Sequence, residues 1–103
     1  MTHDEIVAIA DRALRPLLGP LGMERIEVEA KDDQSGTPAL YISAFYRKGS
    51  KAPKGELQMK ALVDVGRALQ AAGEERFPYV DHRFWHEGFE PEDDDAEEGQ
   101  TVR

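Results

Sequence analysis

The chain has 103 residues, of which 40% are hydrophobic and 33% charged, a size and balance that suit one small globular domain. It holds no cysteine, which excludes a disulfide framework and thiolate metal sites. The start of the chain is polar and acidic, and its longest apolar stretch is far shorter than the ~20 residues that cross a bilayer. We therefore expect a cytoplasmic protein without membrane contact.

The net charge of −8 is concentrated at the C-terminal end. Residues 90–103 hold seven acids and one base, which accounts for six of the eight negative charges. This composition predicts a disordered acidic tail over 90–103, after a single α+β domain over 1–89. Because the domain is then nearly balanced in charge, the low isoelectric point is weak evidence against nucleic-acid binding.

The first predicted element is a helix that begins after Thr2. Thr2 and Glu5 have the spacing of a capping box, in which each side chain satisfies a free backbone N–H group. Pro16 is expected either to kink the last turn or to end the helix near Leu14, and the Gly-Pro-Leu-Gly of residues 19–22 is typical of a stop. Apolar residues at three- and four-residue spacing predict a buried stripe: Ile6, Ile9, Ala10, Ala13 and Leu17, widened by Val7, Leu14 and Leu18.

Two strands are predicted next. Residues 24–30 alternate between charged and apolar side chains, which is typical of a strand with one buried face. A polar loop over 31–38 predicts an antiparallel hairpin to a second strand over 39–46. Both faces of this second strand are apolar or aromatic, so it requires cover on two sides.

The second helix is expected to begin near Pro53 or Gly55 and to end before Gly73, which suits a left-handed C-cap. Gly66 inside this helix costs about 1 kcal/mol relative to alanine, so we interpret it as a site of close packing or a kink. Phe77, in the connection that follows, is predicted to point inward. The predicted apolar stripe of the helix is Leu57, Ala61, Val65, Ala68 and Ala72, with Leu62 and Leu69 alongside.

Residues 79–87 form the third predicted strand, which runs parallel to the second after a right-handed crossover through the second helix. Since the first strand has only one apolar face, both helices must cover the same side of the sheet. The predicted fold is a two-layer α+β sandwich in the order α-β-β-α-β, with a three-stranded mixed sheet under two helices. We expect the uncovered face of the sheet to present Tyr41, Phe45, Arg83 and Trp85, alongside Arg25, Glu27 and Glu29.

Aromatic side chains exposed on so small a sheet predict a docking surface. We expect self-association or a protein partner there, with stacking of unpaired bases as a further use. Two structural alternatives stay open. Loops or residues from Phe89 onward cover the face, or the inside–outside assignment of the third strand is wrong by one residue.

A basic segment precedes the second helix, where free backbone N–H groups favour anions. Its spacing does not match a nucleotide-binding P-loop. It predicts phosphate-backbone contacts in an RNA-binding module, or else a solvated flexible loop. A further hypothesis is that the acidic tail folds back on these lysines and competes with an anionic partner for them. The cations are Arg47, Lys48, Lys51, Lys54 and Lys60.

No catalytic or metal site is predicted. On a strand, His82 and His86 share a face but lie about 13 Å apart, which is too far for both to bind one ion without a bend. The sequence has no Ser–His–Asp arrangement that spacing supports and no paired carboxylates outside the tail. We therefore expect a protein that is not an enzyme and needs no cofactor.

The order of elements resembles the type II KH arrangement, as in ribosome-binding factor A proteins, where a small residue or glycine kinks the second helical segment. Asp64-Val65-Gly66 followed by Gly73 is similar to that feature. The resemblance is topological, because no Gly-x-x-Gly stands between two helices and the expected positive surface is lacking. The resemblance implies RNA binding. This is the alternative to our main prediction, a non-catalytic protein that self-associates or docks a protein partner.

Overall fold

The computed structural model describes residues 1–84, and it confirms the predicted order α-β-β-α-β. Trp85, His86 and the predicted acidic tail over 90–103 lie outside the described residues. A single 3-10 turn, Gly19–Leu21, separates the first helix from the first strand. The main elements are α1 (His3–Leu18), β1 (Met23–Asp32), β2 (Pro38–Tyr46), α2 (Gly55–Ala71) and β3 (Phe77–Phe84).

The first helix begins at the predicted capping box. The backbone N–H of Glu5 donates to the Thr2 hydroxyl over 3.1 Å, and the Glu5 carboxylate accepts from the Thr2 N–H over 2.8 Å. The helix continues through Pro16 to Leu18, so the predicted end near Leu14 is wrong. Its buried side chains lie about one turn apart on a single face: Ile6, Ala10, Leu14 and Leu18.

The first two strands form the predicted antiparallel hairpin. Ile26 lies opposite Ala44 and Val28 opposite Ile42, which places their side chains on the face that the helices cover. The register shifts between Met23 and Arg25, and this bulge turns Met23 into the core as well.

The third strand runs parallel to β2, as predicted, so β2 lies between two edge strands in the order β1-β2-β3. Both helices pack on one side of the sheet, where the core lies. The largest fully buried side chains come from α1, β2 and α2: Leu14, Leu18, Leu40, Ile42, Val65 and Leu69.

The C-terminus of α2 confirms the predicted role of Gly73. Its φ of 97° is left-handed, its N–H donates to the Gln70 carbonyl over 3.0 Å, and the Glu74 N–H donates to the Leu69 carbonyl over 2.9 Å. These paired bonds define a Schellman motif. Among residues 1–84, no helix is both long and apolar enough to span a membrane.

The predicted inward orientation of Phe77 is wrong, because its side chain is 51% exposed. Val80 and Phe84 pack against the core as predicted, and Pro78 is buried. Since side chains alternate along a strand, these even-numbered positions place Phe77 on the opposite face.

Candidate functional site

The sheet face turned away from the two helices is the candidate site, and we call it the open face. In the part of the chain that the structure describes, both helices pack on the other side of the sheet. Tyr41, Phe45 and Arg83 lie on the open face as expected, whereas Trp85 is outside the described residues. The side chains of the open face are Arg25, Glu27, Glu29, Lys31, Tyr41, Ser43, Phe45, Phe77, Tyr79, Asp81 and Arg83.

Three aromatic rings gather at one corner of the open face, and we call Tyr41, Phe77 and Tyr79 the aromatic corner. The register places Tyr79 beside Tyr41, and their rings stack with centroids 5.1 Å apart. Phe77 meets Tyr79 edge-on at 4.9 Å, and the Lys31 ammonium lies 4.8 Å above the Tyr41 ring. Offset stacks and cation contacts of this kind hold large side chains in defined positions.

Sequence reasoning missed two of these three rings. The sequence pattern predicts an inward-facing Phe77, and the predicted docking surface does not include Tyr79. The signal that would have found them was spacing, because both stand an even number of residues from Arg83, which was placed correctly. The register that sets Tyr79 against Tyr41 was not readable from the sequence.

The hydroxyl of Tyr79 donates to the Asp33 carboxylate over 3.2 Å, which ties the aromatic corner to the β1–β2 turn. Hydrogen bonds from Ser35 and Thr37 lower the pKa of Asp33, so this acceptor stays ionised at neutral pH. Partial desolvation, and then the Asp33 carboxylate, raise the pKa of Tyr79. The phenol is therefore a neutral donor at neutral pH, and its ring is fixed at both ends.

The opposite end of the open face is cationic. The Arg25 guanidinium lies 4.0 Å from the centre of the Phe45 ring, and it also pairs with Glu27 at 3.1 Å. Arg83 pairs with Asp81 on the same strand. A shallow groove of about 450 Å³ opens at this end, lined by Glu24, Arg25, Phe45, Tyr46, Arg47, Lys48, Arg83 and Phe84.

The predicted basic segment is divided between different places. Arg47 and Lys48 line the cationic groove, so the structure brings them together with Arg25 and Arg83. Lys60 instead pairs with Asp64 one turn further along α2, at 3.3 Å. Lys54 is the N-cap residue of α2 and Lys51 is exposed in the linker before it, and neither lines the groove.

On the helix-covered face, Tyr46 and His82 form a partly buried polar pair. The Tyr46 hydroxyl and His82 Nδ1 are 2.8 Å apart, and the Tyr46 ring stacks on Phe84. Burial raises the pKa of Tyr46 to about 12, and burial lowers the pKa of His82 against a smaller opposing effect of Asp81. Within residues 1–84, no group of three His, Asp or Glu side chains is placed to hold a metal ion.

No protein-family model matches this sequence, and no curated protein matches it. The resemblance to the type II KH arrangement therefore stays at the order of the elements. The helix α2 runs as one element from Gly55 to Ala71 and includes Asp64-Val65-Gly66.

Proposed function

We propose that the protein is a non-catalytic binding module that docks a protein partner on the open face. The observation that carries this proposal is the aromatic corner, in which Phe77 is 51% and Tyr79 is 39% exposed. Large exposed rings are costly to leave in water, and tyrosine and other aromatic residues are enriched at the centres of protein interfaces.

The rings are also pre-organised for contact. Stacking on Tyr41 and the hydrogen bond to Asp33 immobilise Tyr79 before any partner arrives. Binding then loses less side-chain entropy than it would with mobile rings, which favours affinity from a small surface. Lys31 and Glu29, paired at 3.6 Å, give the corner a polar border.

Charge alternates along the rest of the face, which favours a partner with both signs of charge over a uniformly charged one. Arg25 and Glu27 on β1 and Asp81 and Arg83 on β3 form two exposed ion pairs that flank the central strand. Exposed pairs contribute little to folding, so they are free to exchange for pairs with a partner.

The proposal is tested by site-directed photo-crosslinking in the cells that produce the protein. A photoreactive phenylalanine derivative replaces Tyr79 in one variant and Arg12, which is exposed on α1, in the control. We expect one adduct of defined mass from position 79 that is absent from position 12, and we expect Phe77→Ser to reduce it. Equal adducts from both positions, or none from position 79, would overturn the proposal.

A second candidate function is binding of single-stranded RNA at the cationic groove. Four cationic side chains line this groove with Phe45, and the Arg25 guanidinium lies on the Phe45 ring, a combination suited to phosphates and a stacked base. Fluorescence anisotropy with a short RNA should then give an affinity that falls steeply with salt. Arg47→Glu should weaken it more than Lys60→Glu, a control on the ion pair of α2; equal effects would exclude the groove.

A further inference from the structure

Within residues 1–84, the outer side of β3 is an unpaired strand edge of the sheet. The strand is eight residues long and pairs with β2 without a register shift, and among residues 1–84 no other strand lies beyond it. The other edge, β1, is interrupted by the bulge before Arg25. Long regular edges invite another strand, and proteins usually protect them.

The hydrogen bonds of the hairpin identify which residues of β3 face outward. The Arg47 N–H donates to Gly22 and the Thr37 carbonyl accepts from Asp33, so odd-numbered backbone groups of β2 turn toward β1. The backbone N–H and C=O groups of the even-numbered residues of β2 then form hydrogen bonds with the odd-numbered residues of β3, so the even-numbered residues of β3 turn their backbone groups outward. Pro78 agrees with this pattern, because a proline in a strand needs its nitrogen on the unpaired side.

The outward N–H and C=O groups are therefore those of Val80, His82 and Phe84. These residues direct their side chains toward the helices, so a strand added at this edge would also extend the helix-covered layer. The layer has unused apolar surface at this place. Met59 and Val63, one turn apart on α2, are 60% and 38% exposed.

Two hollows follow the boundary between α2 and β3. One of about 210 Å³ is lined by Met59, Leu62, Val80 and His82, among others. The other, of about 610 Å³, continues past Val63 to the start of β3. A strand added beside β3 would place the side chains of its helix-facing side along these hollows. Two helices do not fully cover that side of three strands at this edge.

We propose that the occupant of this edge is a second copy of the chain, paired β3 to β3 in antiparallel orientation about His82. A two-fold axis perpendicular to the sheet would join two three-stranded sheets into one of six strands, with all four helices on one side. About six backbone hydrogen bonds would form between outward groups. The proposal does not rest on the proposed function, because it uses the backbone edge of β3 rather than the rings of the aromatic corner; of the open-face side chains, it uses Asp81 and Arg83, which lie along that edge.

The charges of β3 select this register. With His82 on the axis, Asp81 lies opposite Arg83 of the partner subunit, and Arg83 lies opposite the partner's Asp81. Val80 then meets the partner's Phe84 on the helix side. Moving the axis to Asp81 would set two aspartates against each other, which is destabilising. Moving it to Val80 would set Pro78, which has no N–H, against an outward-facing residue of the other strand.

The test is a charge exchange read by sedimentation equilibrium of the full chain over a dilution series. The wild type should approach twice the monomer mass of 11.5 kDa. Arg83→Asp alone and Asp81→Arg alone should each raise the dissociation constant about tenfold, because each places like charges opposite each other twice. Mixing the two variants should restore wild-type affinity, because both cross-strand pairs are then complementary.

The matched controls are Arg25→Asp and Glu27→Arg. They alter an ion pair that also lies on the open face but belongs to β1, the other edge strand, and they should leave the mass distribution unchanged. A monomer at every concentration would overturn the proposal. So would a dimer that neither single variant weakens, or one that mixing does not restore. A dimer weakened only by Phe77→Ser would move the self-association to the open face.

Discussion

The Glu74 carboxylate joins the end of α2 to the start of β3. Its Oε2 accepts from Arg76 Nε over 2.8 Å and from the Arg76 backbone N–H over 2.9 Å, while Oε1 accepts from Nη2 over 2.9 Å. Glu74 is only 9% exposed, and its N–H closes the Schellman motif on Leu69. A buried carboxylate with this many charge-assisted bonds stabilises the folded state.

The magnitude follows from the pKa of Glu74. The Arg76 side chain lowers it from 4.5 to about 2, against a smaller opposing effect of burial. In full, that difference corresponds to about 3 kcal/mol of unfolding free energy. Because the Arg76 side chain is 33% exposed, solvent screens part of the interaction, and we expect Glu74→Gln to cost about 2 kcal/mol at pH 7.

The assay is urea unfolding followed by circular dichroism from pH 7 to pH 2. A carboxylate with a lowered pKa stabilises the fold above its unfolded pKa of about 4.5, and this contribution is lost as the pH falls through about 2. The difference in unfolding free energy between wild type and Glu74→Gln should therefore disappear as the pH falls from about 4.5 to about 2. Glu75→Gln, at the exposed neighbouring position, is the control and should leave the urea midpoint unchanged.

Two results would refute this reasoning. One is an equal urea midpoint for wild type and Glu74→Gln at pH 7. The other is a difference between them that stays constant down to pH 2, which would mean that the charge of the carboxylate is not its source.

Three further predictions concern stability and use the same unfolding assay. Gly66→Ala should stabilise the protein by about 1 kcal/mol, because a methyl group there meets only Pro78, at an ordinary 3.7 Å; a loss would mean that the site is tighter. Gly22→Ala should cost more than 2 kcal/mol, since φ is +110° and the new carbon would lie 2.1 Å from the Ser50 hydroxyl; wild-type stability would contradict this. Burial lowers the pKa of His82, so neutral imidazole is favoured in the fold. Stability should fall as the pH drops below about 6.5, and less so in His82→Gln; parallel losses in both proteins would exclude His82 as the cause.

Local signals in the sequence were sufficient wherever a short segment sets its own conformation. The Thr2–Glu5 box and the Gly73 cap each depend on residues within about one helical turn, so both were predictable. The alternation in β1 and the apolar run of β2 predicted the hairpin for the same reason.

The failures are places where distant segments decide. Pro16 stays inside α1, although one of the two outcomes that local preference predicted was an end of the helix near Leu14. Gly66 is not a site of close packing, since the neighbouring space accepts a methyl group. Phe77 belongs to β3, although the local pattern places it in the connection before a strand over 79–87. Pairing with Ala39 extends the strand to Phe77, and its even spacing from Arg83 then sets the side on which it lies.

The amino-acid sequence by itself determined the order of helices and strands. It also determined the one-sided apolar pattern that leaves one sheet face without a helix among residues 1–84, because periodicity and capping are properties of neighbouring residues. Only the tertiary structure decided which rings form the aromatic corner, how the basic residues divide between the groove and α2, and that the edge of β3 lies beside exposed apolar side chains. Each of those features requires residues far apart in the chain to meet, and their meeting is set by strand register and helix packing rather than by local preference.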